Sequence, residues 1–334
     1  MIGRANGRPI SITGLGCSVP DRVVTNDDLS KLVDTSDEWI VSRTGIHERR
    51  LADGPLAMSD LAAPACERAL AMAGVDPASI DLVIVATVTP DMAFPSTAAL
   101  LADRLGMPAA AAYDLAAGCT GFVYAIAQAD GMIAAGLAQR ALVVGGDVLS
   151  SILDWEDRST LVLFGDGAGA VVVEPVDHGG FLGFELGADG GGGMHLWLPG
   201  SGTRHFDDPE RYVKMNGREV FRFATRVMVA SAEAILDECG KTVDDIDVYV
   251  PHQANIRIID HAARKLAIPE EKIVVNVDRF GNTSSGSIPL ALADAADDGR
   301  LEPGKLVLLT GMGAGLTWGS ALIDWTHSTS GATP

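Results

Sequence analysis

The chain has 334 residues, 47% of them hydrophobic and 21% charged, with a formal net charge of −19. That length suffices for about two domains, or two halves of one, and for a core that needs neither disulfide nor metal. The acidic balance excludes a nonspecific nucleic-acid binder, and the even spread of apolar residues excludes disorder.

The first twenty positions hold Arg4 and Arg8 but no apolar stretch of signal-peptide length. No uncharged apolar run reaches the roughly 18 residues of a membrane span. Cys17, Cys66, Cys119 and Cys239 form no C-x-x-C pair, which argues against a disulfide framework and a structural zinc site. We therefore expect a cytoplasmic protein with reduced thiols and no membrane or nucleic-acid partner.

In chain order, apolar β-rich runs occur at 81–87, around 113, and at 141–146, 170–173, 246–250, 273–277 and 306–309. Helical-length Ala-rich segments at 59–73, 122–138, 220–239 and 256–266 lie between them. Continuous Val/Ile runs alternating with helices predict an α/β protein with buried, largely parallel strands. Runs near 82, 113 and 142 have counterparts near 247, 274 and 306, offsets of roughly 160 to 165 positions that suggest an internal duplication. The repeated grammar of parallel α/β folds is the competing explanation. Each half closes on a glycine turn, Gly165-Asp-Gly-Ala-Gly169 and Gly311-Met-Gly-Ala-Gly315. The Gly-rich stretch 178–205 reads as a loop where the halves join. The expected division is 8–178, 179–327 and a frayed tail at 328–334.

The glycine turns do not fit a dinucleotide site, because such a turn leads from a strand into a helix. Gly169 is followed by Ala-Val-Val-Val-Glu, which is strand, and too little chain follows Gly315 for a βαβ unit.

Cys119 lies in Asp114-Leu-Ala-Ala-Gly-Cys-Thr-Gly-Phe, between a strand and a helix. A helix start favours thiolate over thiol, so Cys119 is a candidate nucleophile; a small buried thiol in a tight turn is the other reading. His252 ends a predicted parallel strand, where open α/β sheets place their sites. His47, His178, His195, His205 and His327 fall in loops or the tail, and His261 within a helix. Asn282 follows the next predicted strand, and its uncharged amide can donate to a developing oxyanion without acting as a base.

These motifs resemble the β-ketoacyl-acyl-carrier-protein synthase III family, the initiating condensing enzymes of the thiolase superfamily. The resemblance is carried by Asp34-Thr-Ser-Asp-Glu-Trp-Ile with Arg43-Thr-Gly-Ile, Ala117-Gly-Cys-Thr-Gly-Phe, Phe164-Gly-Asp-Gly-Ala-Gly-Ala, Pro251-His-Gln-Ala-Asn and Gly281-Asn-Thr-Ser. It implies a thiolase-like duplicated α/β fold, with two similar halves of mixed, mostly parallel sheets layered with helices (αβαβα). It also implies a Cys119–His252–Asn282 triad. The expected reaction is decarboxylative Claisen condensation of an acyl-CoA starter with malonyl-acyl carrier protein through acyl-Cys119. That step would initiate fatty-acid or polyketide synthesis, with no cofactor beyond the coenzyme A thioester substrate.

By the same resemblance, the N–H groups of Cys119 and Ala314 form the oxyanion hole. Trp39 and Arg158 would sandwich the coenzyme A adenine, with Arg43, Thr44, Asn216 and Asn255 along its path. Leu149, Phe164 and Met312 are expected in the acyl pocket, with Phe94 closing it across a homodimer. Arg222, Arg257, Arg264 and Lys265 match a basic patch for the acidic carrier protein. Read without the family, Trp39 is a helix-start core residue, Phe94 a loop aromatic packed at home, and the four cations ordinary solvated charges. Two rival functions are an acyltransferase that passes the acyl group to an alcohol or amine without decarboxylation, and a non-catalytic carrier-binding subunit. Asn282 disfavours the first, because a base there would better activate a hydroxyl. The intact triad disfavours the second.

Overall fold

The computed structural model describes residues 8–200, 202–205 and 209–327; the tail expected at 328–334 lies outside the described residues. In the first half, β1 (Ile10–Ser18) is followed by a small hairpin of β2 (Val23–Thr25) and β3 (Glu48–Arg50), which encloses α1 (Asn26–Ser30) and α2 (Asp37–Thr44). Then come α3 (Met58–Ala73), β4 (Leu82–Ala86), α4 (Thr97–Arg104), β5 (Ala111–Leu115), α5 (Gly121–Ala134), β6 (Ala141–Asp147), α6 (Arg158–Leu161) and β7 (Gly167–Pro175).

The second half opens with β8 (Gly180–Ala188), the small ribbon β9 (Leu196–Trp197) and β10 (Lys214–Met215), and the long α7 (Gly217–Glu238). It continues through β11 (Val248–Pro251), α8 (Ile256–Leu266), α9 (Val277–Phe280), α10 (Ser287–Asp297), β12 (Leu306–Gly313) and β13 (Thr317–Asp324).

The first sheet runs β1-β7-β6-β4-β5 and the second β8-β13-β12-β11. In both, the first two junctions are antiparallel and the next is parallel. The fold is thus a thiolase-like duplicated α/β architecture with two similar halves. Strands β4, β6 and β12 are buried along their whole length, as continuous Val/Ile/Leu runs require. The central core joins the halves: α5 contributes Phe122, Val123 and Ile126, and α10 contributes Ile288, Leu290 and Leu292.

Two expectations are corrected. The run 273–277 forms no strand, only a single parallel bridge from Tyr249 to Ile273. The N–H groups of Asn276 and Val277 donate instead to the Gln253 side chain, and α9 begins at Val277. The Gly-rich stretch 178–205 is not one loop: β8 occupies nine of its residues, and β9 with two 3-10 turns a further eleven. Gly187 is glycine for lack of room: a Cβ there would meet the Trp318 ring at 2.2 Å. Among the described residues, no helix is long and apolar enough to cross a membrane.

Candidate active site

After β5 the chain makes a 3-10 turn at Gly118–Thr120 and enters α5. Gly118 has φ +56°, and a Cβ on it would lie 2.7 Å from the Ala314 nitrogen and 2.8 Å from its carbonyl oxygen. A residue other than glycine would therefore carry both backbone strain and a clash. The Thr317 hydroxyl at the start of β13 donates to the Ala117 carbonyl at 2.8 Å and sits 3.0 Å from the Thr120 hydroxyl. This clasp holds the second half's glycine turn against the cysteine elbow of the first.

Cys119 is 7% exposed. Burial pushes its thiol up to about 11, against the opposing pull of the Ser284 hydroxyl and the backbone N–H groups of Cys119 and Ala314. Burial thus opposes the helix start, which the sequence alone reads as favouring thiolate. The two N–H groups at the sulfur are the pair expected to form an oxyanion hole.

His252 follows β11 and is 1% exposed. Burial holds its imidazole down at about 3, so the ring is neutral across the physiological range. Its Nδ1 lies 2.5 Å from the Ser287 hydroxyl, while Nε2 is buried with no partner. Gln253 anchors the strand end with four hydrogen bonds. Its amide nitrogen donates to Pro251 and Val274 carbonyls, and its oxygen accepts from the Asn276 and Val277 N–H groups.

Asn282 is pinned by its backbone, donating to Leu163 at 2.9 Å and accepting from Gly165 at 3.0 Å. Its side-chain oxygen accepts the Ser284 N–H at 2.9 Å, which fixes which way the amide faces. The segment 282–287 therefore carries Asn282, the Ser284 hydroxyl against Cys119, and the Ser287 hydroxyl against His252. Asp147, fully buried, stitches this segment to the other half: it accepts from the Val88 N–H and from the hydroxyls of Thr87, Thr89 and Ser285. Burial raises its carboxyl above the usual range.

Cys119 opens into a cavity of about 780 Å³, lined by Leu149, Leu153, Phe164, Leu196, Val213 and Ala314 among others. Leu149 and Phe164, two of the residues expected in the acyl pocket, are thus in the wall of this cavity. Met312 does not line it. On β12, Gly311 and Gly313 face Thr120 and Cys119, so Met312 between them points to the opposite face. There it packs with Phe223, Met228 and Trp318. Phe94 is 86% exposed and so is not packed at home.

The residues expected along the coenzyme A path cluster on α2, α6 and the starts of α7 and α8. Arg43 and Arg158 each lie 4.8 Å from the Trp39 ring centroid. The sandwich is closed here: Arg158 rests on the indole, and an adenine would have to displace it. Thr44 is corrected to a structural residue. It is 3% exposed, donates to the Ile40 carbonyl and accepts the Ile46 N–H, so it closes the end of α2. Asn255 caps α8 through the Arg257 N–H and ties it to α2 by donating to the Arg43 carbonyl at 3.0 Å. Exposed Asn216 caps α7.

Arg222, Arg257, Arg264 and Lys265 are all exposed on the adjoining helices α7 and α8. Arg222 pairs with Glu219 at 2.5 Å, and Arg257 lies over the Phe221 ring at 5.4 Å. Exposed Arg218 and Arg226 extend this face of α7 at four-residue intervals, a spacing the sequence displayed and the reading above missed. Ser284, Ser287, Gln253 and Asp147 were missed as well. Gln253 and Ser284 stand inside the quoted motifs and Ser287 three residues beyond one, whereas nothing local flags Asp147, because the partners of all four are set by tertiary contacts.

Comparison with known proteins gives the family. Residues 113–190 match the 3-oxoacyl-[acyl-carrier-protein] synthase III family, and residues 236–325 match its C-terminal region. A β-ketoacyl-[acyl-carrier-protein] synthase III of Symbiobacterium thermophilum is 53% identical over 325 residues, covering 95% of this chain and 98% of that protein. The solved structure of the Thermus thermophilus synthase III is 52% identical with a TM-score of 0.90, covering 94% of this chain and 99% of that one. A priming β-ketosynthase from the R1128 polyketide pathway is 38% identical with a TM-score of 0.91, covering 96% and 97%. The chain belongs to the 3-oxoacyl-[acyl-carrier-protein] synthase III family.

Proposed function

We propose that the protein condenses an acyl-CoA starter with malonyl-acyl carrier protein, initiating fatty-acid or polyketide synthesis. In the first stage the Cys119 sulfur attacks the thioester, and the acyl group moves to Cys119 as coenzyme A leaves with the thiol proton. The transient oxyanion sits between the N–H groups of Cys119 and Ala314; losing one such donor typically costs about 2.7–4 kcal/mol. In the second stage the malonyl thioester loses CO₂, and the resulting enolate oxygen accepts from His252 Nε2 and the Asn282 amide. The carbanion attacks acyl-Cys119, and one proton taken up restores the thiol as the 3-oxoacyl carrier leaves. Carbon, charge and electrons balance with coenzyme A as substrate and no metal or redox group.

The observation that carries this reading is the segment 282–287, which bears Asn282 and sets its Ser284 and Ser287 hydroxyls against the Cys119 thiol and the His252 imidazole, with Cys119 and Ser284 in the wall of one apolar cavity. A neutral, orphaned Nε2 suits a hydrogen-bond donor and not a general base. Arg218, Arg222, Arg226, Arg257, Arg264 and Lys265 form the docking face for the acidic carrier; the net charge of −19 would otherwise repel it. Trp39, Arg43 and Arg158 receive the adenine end of coenzyme A. Exposed Phe94 beside half-exposed Met92 supports a homodimer, and four cysteines held in no disulfide suit the cytoplasm. This reading keeps the boundary between the halves at 178/179, in the link that joins β7 to β8.

The test is the intact mass of the carrier after incubation of enzyme, acyl-CoA and malonyl carrier. Gain of the acyl group with loss of CO₂ is expected. Acylated small molecules with an unchanged malonyl carrier would replace this reading with simple acyl transfer.

A further inference from the structure

The ring of His252 has two nitrogens in opposite situations. Nδ1 faces the Ser287 hydroxyl at 2.5 Å, and Nε2 has no partner. The Ser287 oxygen also accepts the Gln253 backbone N–H at 3.2 Å. Ser287 is 1% exposed and opens α10, so its hydroxyl is positioned by the helix and shielded from bulk solvent.

Counting protons singles out the arrangement that leaves the fewest groups unpaired. A hydroxyl carries one proton, and the Gln253 N–H already occupies one lone pair of its oxygen. Were the imidazole proton on Nδ1, two donors would point at Ser287, and the hydroxyl proton would need a different buried acceptor. With the proton on Nε2, Ser287 donates to a bare Nδ1 and accepts from Gln253, so both bonds at the hydroxyl are made and Nε2–H alone is left without a partner.

We propose that Ser287 is a positioning residue that fixes His252 as its Nε2–H tautomer and thereby sets the donor polarity of the site. Its influence on decarboxylation rests on the condensing-enzyme reading; the tautomer assignment does not. Nε2–H is the form that can donate to a thioester carbonyl or enolate. An Nδ1–H imidazole would present a lone pair there and repel the developing charge. The same hydroxyl ties the imidazole to the α10 start, five residues beyond Asn282, so both donors are referred to one segment.

The experiment uses the full chain labelled with ¹⁵N-histidine, with the His252 signals assigned by their loss in His252→Asn. In the unsubstituted protein, a protonated Nε2 and a bare Nδ1 are expected; a proton on Nδ1 overturns the proposal. In Ser287→Ala, the two tautomers should mix, with CO₂ release from malonyl carrier down about tenfold, the effect of one lost hydrogen bond. Cys119 acylation should be retained in that variant, which also serves as its folding control. An unchanged tautomer and unchanged CO₂ release in Ser287→Ala would likewise overturn it. Should Ser287→Ala fail to fold, the spectrum of the unsubstituted protein still decides. An Nε2–H spectrum in a protein inert toward malonyl carrier would sink the condensing-enzyme reading and leave the tautomer assignment standing.

Discussion

The turn at Gly118–Thr120 and the turn at Ser284–Gly286 are one backbone device used twice. The first follows β5 and the second follows α9, and each runs directly into a helix, α5 in one case and α10 in the other. Each begins on a residue in the left-handed region, Gly118 at φ +56° and Ser284 at φ +52°. The next residue is Cys119 in the first copy and Ser285 in the second. Their fates diverge: Cys119 opens into the cavity, whereas Ser285 donates to the Ala86 carbonyl at 2.7 Å and to Asp147 at 3.1 Å. A duplicated elbow thus supplies a nucleophile once and a brace the second time. What separates the roles is the surroundings, since the backbone is shared.

The sharpest way to break this comparison is to exchange the two roles' importance. Cys119→Ala should lower acyl-enzyme formation from labelled acyl-CoA by more than about 1,000-fold. Ser285→Ala should still acylate, while losing about 1–3 kcal/mol of stability from the carboxylate left short of a donor. Full labelling of the Cys119 variant would end the nucleophile assignment.

Asn282 precedes the second elbow and should act in one stage only. Asn282→Ala is expected to acylate normally yet release CO₂ about 100- to 1,000-fold more slowly, as loss of one oxyanion donor predicts. Equal loss in both half-reactions would show that it merely supports the elbow.

The left-handed residues separate the copies by stability. Gly118→Ala should cost about 2–4 kcal/mol in urea unfolding, combining left-handed strain with the clash against Ala314. Ser284→Gly should shift stability by less than about 1 kcal/mol, relieved strain offsetting the added freedom of the unfolded chain. Similar losses from both would mean that the two turns are not equivalent.

The smallest effect concerns pH. Because burial raises the Cys119 thiol to about 11, its thiolate fraction grows with every unit below that value. Iodoacetamide alkylation should therefore climb about tenfold per pH unit from 7 to 10. A plateau below pH 8 would show that the helix start wins over desolvation after all.

Much of this was legible along the chain. Strands β4, β6 and β12 follow from unbroken apolar runs, and the elbow follows from glycines flanking a cysteine between strand and helix. The failures have local causes. The apolar run at 273–277 had the composition of a strand, but the Gln253 side chain took the N–H groups a neighbouring strand would have used. Met312 was assigned to the acyl pocket although strand alternation between Gly311 and Gly313 sends it to the far face. Thr44 was assigned to coenzyme A, yet both hydrogen-bonding capacities of its hydroxyl are used at the end of α2.

The sequence by itself determined which residue types stand at the strand ends, because periodicity and turn chemistry are properties of neighbouring residues. Only the tertiary structure decided their electrical state. Whether Cys119 is thiol or thiolate, and whether the His252 proton sits on Nε2 or Nδ1, depends on desolvation and on hydroxyls contributed by segments far along the chain. Ser284 and Ser287 are remote from Cys119 in sequence and adjacent to the site in space. Burial is a sum over all neighbours at once, so no local reading of 334 residues could have fixed its sign.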